Sequence, residues 1–483
     1  MTGKKWEIFF LVLLLALAFS LSTYKLTESP PTWFDEGYII QSALNLVESG
    51  KMEIQIAPNK IVRSSELFST GYPVTYPVGI VMKFFGRGLL QARAVMVLFL
   101  MLFVLFFYLF ARKVWDFKTA ILSSLLLASF APLYGNGKNV LGEVPGLFFL
   151  VLFLFFINKL EKSDFKSYFY YAMAGLTAGL CVSTKPLFLI LLPALLLTPL
   201  IFKRIVILKL KPMLLAALFF SFPLALWFKT QFSGSNSIPM ILSDYSNPYA
   251  FSNVWPVIVK NALRFLTEAT PIYFLALLII WSVSIILKLK ARKQKIILAE
   301  AVSFIFVILV WLAYFRTPGW YRYLFPAHIV MLLYFPAAFY VVFNFIGNLR
   351  IYKLAAPLLL SALISIQFYQ VGFSSWVATY YHSTRAKDLA DYFNKQDSSK
   401  SIFIYRNPEI AVFLQHNNYY QYLKLLDTLE MGADELNKIN LGVPDEVVMT
   451  IDGAEEANKR TPGLFLNYKE KTRVNRYLIF ERK

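Results

Sequence analysis

The sequence has little cysteine and little charge. One cysteine, Cys181, among 483 residues excludes an intramolecular disulfide, so any part outside a membrane must hold together by packing alone. Three histidines and that one cysteine leave no Cys/His spacing of the zinc type. No Asn-x-Ser/Thr acceptor occurs, which points to a prokaryotic plasma membrane rather than an endoplasmic reticulum. The C-terminal stretch has no G-x-G-x-x-G nucleotide fingerprint, and no heptads or fixed-period repeat run through the chain. Charged residues make up 16% of the chain, against about 25% in soluble domains.

What fills the chain instead is apolar, 57% of it. Spanning a bilayer takes about 17–25 apolar residues. Eleven such runs lie near 7–23, 89–111, 119–134, 144–158, 168–184, 186–202, 213–229, 270–288, 296–315, 326–346 and 354–373. The expected class is an all-α polytopic membrane bundle of about eleven transmembrane helices. Lys4 and Lys5 precede the first run, but no small-residue cleavage site follows it, so it reads as a retained helix.

The net charge of +19 would suit a nucleic-acid partner. Its distribution argues otherwise. Lys and Arg gather in the loops on the N-terminal side of the membrane, most densely in "KLKARKQK" at 288–295, and thin out in the short loops opposite. That bias places the N-terminus in the cytoplasm and the C-terminus outside, and implies no nucleic acid.

The expected organisation is a membrane domain over 1–375 and a small soluble α/β domain over 376–483 on the outer side. "SIFIYR" (401–406) and "EVVMTID" (446–452) read as strands, and "LFLNYKEK" with "NRYLIFER" as a closing strand pair. "RAKDLADYFNKQ" (385–396) and "PEIAVFLQHN" (408–417) read as helices. Two loops of the membrane domain stand out. The loop at 230–268, rich in Ser, Asn, Pro and aromatics, reads as a partly ordered lid. The loop at 24–88 opens with "PPTWFDEGY", which sets two adjacent acids, Asp35 and Glu36, at the membrane edge.

Local pattern gives those acids two meanings. Thr32 followed by Asp35 is close to a capping box, and a helix through "WFDEGYIIQSALNLVES" would end at Gly50. The acids would then only complement the helix dipole. Alternatively, a helix at the interface can hold a carboxylate over a cavity. Other outward turns carry charge too: Lys138 and Glu143 in "YGNGKNVLGEVPG", Lys185 in "STKPLFL", and Arg316 and Arg322 in "FRTPGWYRYLFP". In a bundle, acids and bases at these turns would meet at one end.

Taken in order, "FDEGY…ALNLVESG", "GYPVTYPV", an acid opening the fourth run, a Lys after a Ser/Thr pair and "RYLFP" resemble the GT-C glycosyltransferases. The chain is similar to protein O-mannosyltransferases and lipid A aminoarabinose transferases over about residues 5–375. The resemblance implies a membrane enzyme that moves a sugar from a polyprenyl-phosphate donor to an acceptor on the outer face. It implies Asp35 as general base, Glu36 as its neighbour that orients the acceptor or acts through like charge, and Glu143 as the second acidic position. Arg322 is the first choice for the donor phosphate, because a guanidinium binds phosphate through two donors; Lys185 and Arg87 follow. Tyr321 and Tyr323 would wall the sugar or the lipid.

A phosphate leaves readily and needs no general acid, so one base and cationic stabilisers suffice, and a single displacement inverts the anomeric centre. Some members of the class hold a divalent cation at the acidic site and others do not. Asp35, Glu36 and Glu143 offer hard oxygen ligands for one, and no cofactor is required by the sequence. The 230–268 loop is too short for a large inserted domain, which favours a lipid-linked or glycan acceptor. The rival classes are a polytopic transporter or flippase, in which matching broken helices are expected and none are seen, and a surface-polysaccharide polymerase or ligase.

Overall fold

The computed structural model of the chain describes residues 2–63, 70–202, 210–231, 254–267, 269–290, 296–317, 321–346, 350–373, 382–424 and 430–483. Helix α1 (Thr2–Thr23) leads through a turn segment to α2 (Phe34–Ser49), a hairpin of β1 (Glu53–Ala57) and β2 (Lys60–Arg63), and α3 (Tyr72–Phe85). The bundle continues with α4 (Leu89–Val114), α5 (Phe117–Ala128), α6 (Ala131–Gly137), α7 (Glu143–Lys162), α8 (Tyr168–Thr184) and α9 (Leu191–Ile201). It closes with α10 (Leu210–Gln231), α11 (Trp255–Thr267), α12 (Ala269–Lys290), α13 (Leu298–Tyr314), α14 (Tyr321–Ile346) and α15 (Arg350–Phe373).

Every one of the eleven apolar runs falls on helix, but they are not eleven uniform spans. Among the described residues α1, α4, α7, α10, α14 and α15 are each long and apolar enough to cross a membrane. The pair α5 and α6, bent by 59° at its break, makes a seventh if it is one span, and α13 is shorter. Proline explains two of the departures. Pro132 opens α6, and Pro186 forces Lys185 out of the helical region before a short 3-10 turn into α9. The chain is an integral multi-pass membrane protein. Phe103, Phe107, Leu126, Trp281 and Tyr334 lie in its continuous apolar core.

The 24–88 stretch is more ordered than a loop. Helix α2 forms where the acids were read, and Gly50 ends it in the left-handed region, φ 75°, with its N–H on Leu46 O at 3.0 Å. The expected capping box does not form: Trp33 holds the N-cap position, and Thr32 Oγ1 has no hydrogen-bond partner among the described residues. Gly71 then seats α3 on the end of α8, its N–H reaching Thr184 O at 2.9 Å. A Cβ at Gly71 would collide with Ser183 O. Of the 230–268 lid, residues 232–253 lie outside the described residues, and α11 forms its far part.

The C-terminal part is a six-stranded mixed sheet. Helix α16 (Arg385–Asn394) leads into β3 (Ile402–Tyr405), then β4 (Tyr419–Lys424), β5 (Glu430–Met431), α17 (Leu436–Asn440), β6 (Glu446–Thr450), α18 (Ile451–Arg460), β7 (Tyr468–Val474) and β8 (Tyr477–Arg482). The order is β5-β4-β3-β6-β8-β7, with β3 parallel to both β4 and β6. Strand β3 is buried along its length, as a central parallel strand should be. Ile402 and Ile404 face α16 on one side, and Phe403 and Tyr405 face Ala457 of α18 on the other. Two expectations change here. "PEIAVFLQHN" is a chain of turns rather than a helix, and "EVVMTID" switches to helix at Ile451, where Thr450 caps α18.

This sheet is docked onto α2 and the hairpin. Gln41 Nε2 donates to Pro408 O at 2.9 Å, Gln421 Nε2 to Gln41 Oε1 at 2.8 Å, and Gln55 Nε2 to Asn417 O at 2.8 Å. Val412, Leu423 and Met431 share an apolar core with Ile39, Ala43 and Ile54. Gly37 lies so close to the Glu409 backbone that a Cβ there would overlap it.

Candidate active site

Helix geometry separates the two acids. Adjacent residues on an α-helix point about 100° apart, so in the first turn of α2 Glu36 turns inward and Asp35 does not. Glu36 is fully buried against Arg93 of α4, with Nε to Oε1 at 2.9 Å and Nη2 to Oε2 at 2.7 Å. Val140 N also donates to Glu36 Oε1, at 3.1 Å. The remaining Arg93 nitrogen, Nη1, donates to Leu26 O at 2.7 Å and Pro30 O at 2.9 Å. One bidentate pair therefore ties together the segment before α2, α2 itself, α4 and the loop before α7. Both Glu36 oxygens are engaged, and no face of the carboxylate is open to a reactant. Arg93 escaped the sequence reading; the signal was an arginine five residues inside an apolar run, which is rare without a partner.

Asp35 sits differently. Its side chain is 23% exposed, and Oδ2 accepts from Arg322 Nη1 at 2.6 Å. Among the described residues it makes no other hydrogen bond, which leaves Oδ1 open to accept a proton. The Arg322 guanidinium lies over the Trp33 ring at 5.1 Å and the Tyr323 ring at 5.4 Å, an arrangement favourable for a cation. Residues 287 positions apart thus meet at the end of the bundle that carries the sheet.

A second pair completes the cluster. Glu143, the first residue of α7, is buried and accepts from Lys185 Nζ in the turn after α8. Its other oxygen, Oε2, has no hydrogen-bond partner among the described residues. The close approach depends on Gly142, where a Cβ would meet Thr184 O. The two ion pairs, Asp35–Arg322 and Glu143–Lys185, draw on four separate parts of the chain.

The other sequence candidates divide. Tyr323 flanks Arg322 and stacks on Tyr314 at 5.1 Å, while Tyr321 donates to or accepts from His328 Nδ1 at 2.7 Å. Arg87 does not reach the cluster. It is half-exposed and donates to Asn417 Oδ1 at 2.7 Å, so it belongs to the contact with the C-terminal sheet. Lys138 is buried and donates to Tyr24 O at 2.6 Å, holding the segment that precedes the acids. Asp35, Glu36 and Glu143 do not converge on one oxygen-ligand set, because each is paired with a different cation; among the described residues no group of three or more His, Cys, Asp or Glu is placed to hold a metal.

A family model described as dolichyl-phosphate-mannose-protein mannosyltransferase matches residues 73–227. Comparison with the curated proteins gives no match. Among solved structures, ArnT from Cupriavidus metallidurans in the apo state is 13% identical, with 99% of this chain and 98% of that one covered and a TM-score of 0.60. The same protein bound to undecaprenyl phosphate is 14% identical over the same shares, with a TM-score of 0.58. The apo oligosaccharyltransferase of Archaeoglobus fulgidus is 15% identical, with 95% of this chain and 71% of that one covered and a TM-score of 0.60. Over nearly its whole length this chain has the GT-C architecture, and the likeness inferred from the order of its motifs holds at the level of the fold.

Proposed function

We propose that this protein is an inverting membrane glycosyltransferase that moves a sugar from a polyprenyl-phosphate donor to a lipid-linked or glycan acceptor. The observation that carries the reading is the pairing of Asp35 with Arg322. It sets a partly exposed carboxylate against a guanidinium at one end of a bundle whose fold matches a protein solved with undecaprenyl phosphate. The acceptor hydroxyl attacks the anomeric carbon and gives its proton to Asp35. The bond from that carbon to the phosphate oxygen breaks, its electron pair leaving with the polyprenyl phosphate. Arg322 turns from Asp35 toward that phosphate, and the buried Glu143–Lys185 pair fixes the charge around it. Glu36 contributes by holding α2 in place through Arg93. The Lys and Arg distribution supports an N-terminus in the cytoplasm and a site that opens outward.

The test is purified protein incubated with a panel of polyprenyl-phosphate sugars and mixed acceptors, scoring released polyprenyl phosphate. Release that disappears in Asp35→Asn, with membrane insertion intact, is the expected result. Full turnover in Asp35→Asn would remove the base, and no release from any donor would leave the transporter reading ahead.

A further inference from the structure

Beside Trp33 lies a cavity of about 270 Å³, between the segment before α2 and the C-terminal sheet. Thr32 and Trp33 form one wall; Arg385, Lys387, Arg476 and Tyr477 line the other. Three cations and no carboxylate face this space. Among the described residues none of the three makes an ion pair. Arg385 and Lys387 also belong to the first turn of α16, where the helix dipole is positive, although the Arg385 amide already donates to Ser383 Oγ at 3.3 Å. Asp388, the nearest acid on α16, is turned to Thr384 and Asn475 at 2.9 and 3.2 Å.

We propose that this cavity binds an anionic group of the acceptor, a phosphate or a similar oxyanion, and so holds the acceptor beside the reacting centre. Trp33 is the shared wall: one side lines the cavity, and its ring lies under the Arg322 guanidinium that pairs with Asp35. The space lies just below the range of about 300–1,000 Å³ usual for small-molecule sites. It suits the headgroup of a lipid or the end of a glycan, and a folded protein would not enter it. The acceptor role rests on the transferase reading, whereas the anion site does not.

The full-length protein in phosphatidylcholine nanodiscs is titrated with inorganic phosphate and, separately, with short-chain phosphatidic acid, and binding is measured by calorimetry. Wild type is expected to bind saturably. The double variant Arg385→Ala/Arg476→Ala should bind about tenfold more weakly or worse, because two charge-assisted contacts are lost. Its affinity for undecaprenyl phosphate should stay unchanged, and Arg87→Ala should bind both probes as wild type does. Tighter binding of phosphatidic acid than of phosphate identifies a lipid headgroup; equal binding identifies a soluble anion, and either supports the site. All three cations are at the surface, so folding should survive; if the double variant unfolds, Lys387→Glu alone takes its place with the same expectation. The proposal is overturned if neither probe binds wild type, if the variant binds as tightly as wild type, or if undecaprenyl phosphate binding falls in parallel. Because the measurement is binding, an inert donor panel would defeat the transferase reading and leave this one standing.

Discussion

Replacing Glu36 with glutamine separates a structural carboxylate from a chemical one. The substitution keeps shape and an amide oxygen for Val140 N, but it removes the charge that compensates Arg93, which is fully buried. Breaking one partner of a buried ion pair costs about 3–5 kcal/mol, because the remaining charge is left in a medium that solvates it poorly. That is a large share of a total stability of about 5–15 kcal/mol. Asp35→Asn should cost less, about 1–3 kcal/mol, since the amide oxygen can still accept from Arg322 and the pair is partly open to water. The two variants are compared side by side in detergent, by thermal unfolding followed through loss of the monodisperse peak and by donor turnover per folded molecule. The expected pattern is crossed. Glu36→Gln unfolds at a markedly lower temperature while its folded fraction still turns over, and Asp35→Asn unfolds closer to wild type and does not turn over. A Glu36→Gln protein as stable as wild type but inactive would refute the reasoning, because it would move the chemistry to Glu36.

Further outcomes follow from the same geometry. Glu143→Gln and Lys185→Met should each cost about 3–5 kcal/mol, and the double variant less than their sum, a coupling read from a double-mutant cycle of unfolding. Gly37→Ala should push α2 away from the Glu409 backbone, costing about 1–3 kcal/mol and lowering turnover through Asp35, as seen by unfolding and by rate with saturating donor. Burial raises the pKa of Glu409, so the folded state holds a proton that the unfolded chain releases first; its penalty is absent in acid and grows as pH rises through the folded pKa. Glu409→Gln should therefore raise the unfolding temperature near neutral pH, with the gain shrinking toward acid, and a gain that is constant with pH would contradict this.

Much of the architecture was legible because it depends on local pattern. Apolar runs marked the helices, Gly50 marked the end of α2, and the alternating tail strands marked the sheet. The order of the acids and "RYLFP" pointed to the GT-C fold. Some local readings went wrong for local reasons. Thr32 had capping chemistry but an extended neighbour took the N-cap, 408–417 had helical spacing but formed turns against α2, and prolines broke apolar runs that looked continuous.

By itself, then, the sequence determined a polytopic helical membrane protein, with two acids opening a helix after the first span and charge at several turns. It did not separate Asp35 from Glu36, because neighbours in a sequence carry the same local signal. Only the tertiary fold did that, by bringing Arg93 of α4 to one acid and leaving the other for Arg322, 287 residues away. Which charges meet depends on helices placed far apart in the chain, and a buried charge must be met by its opposite wherever the fold brings one.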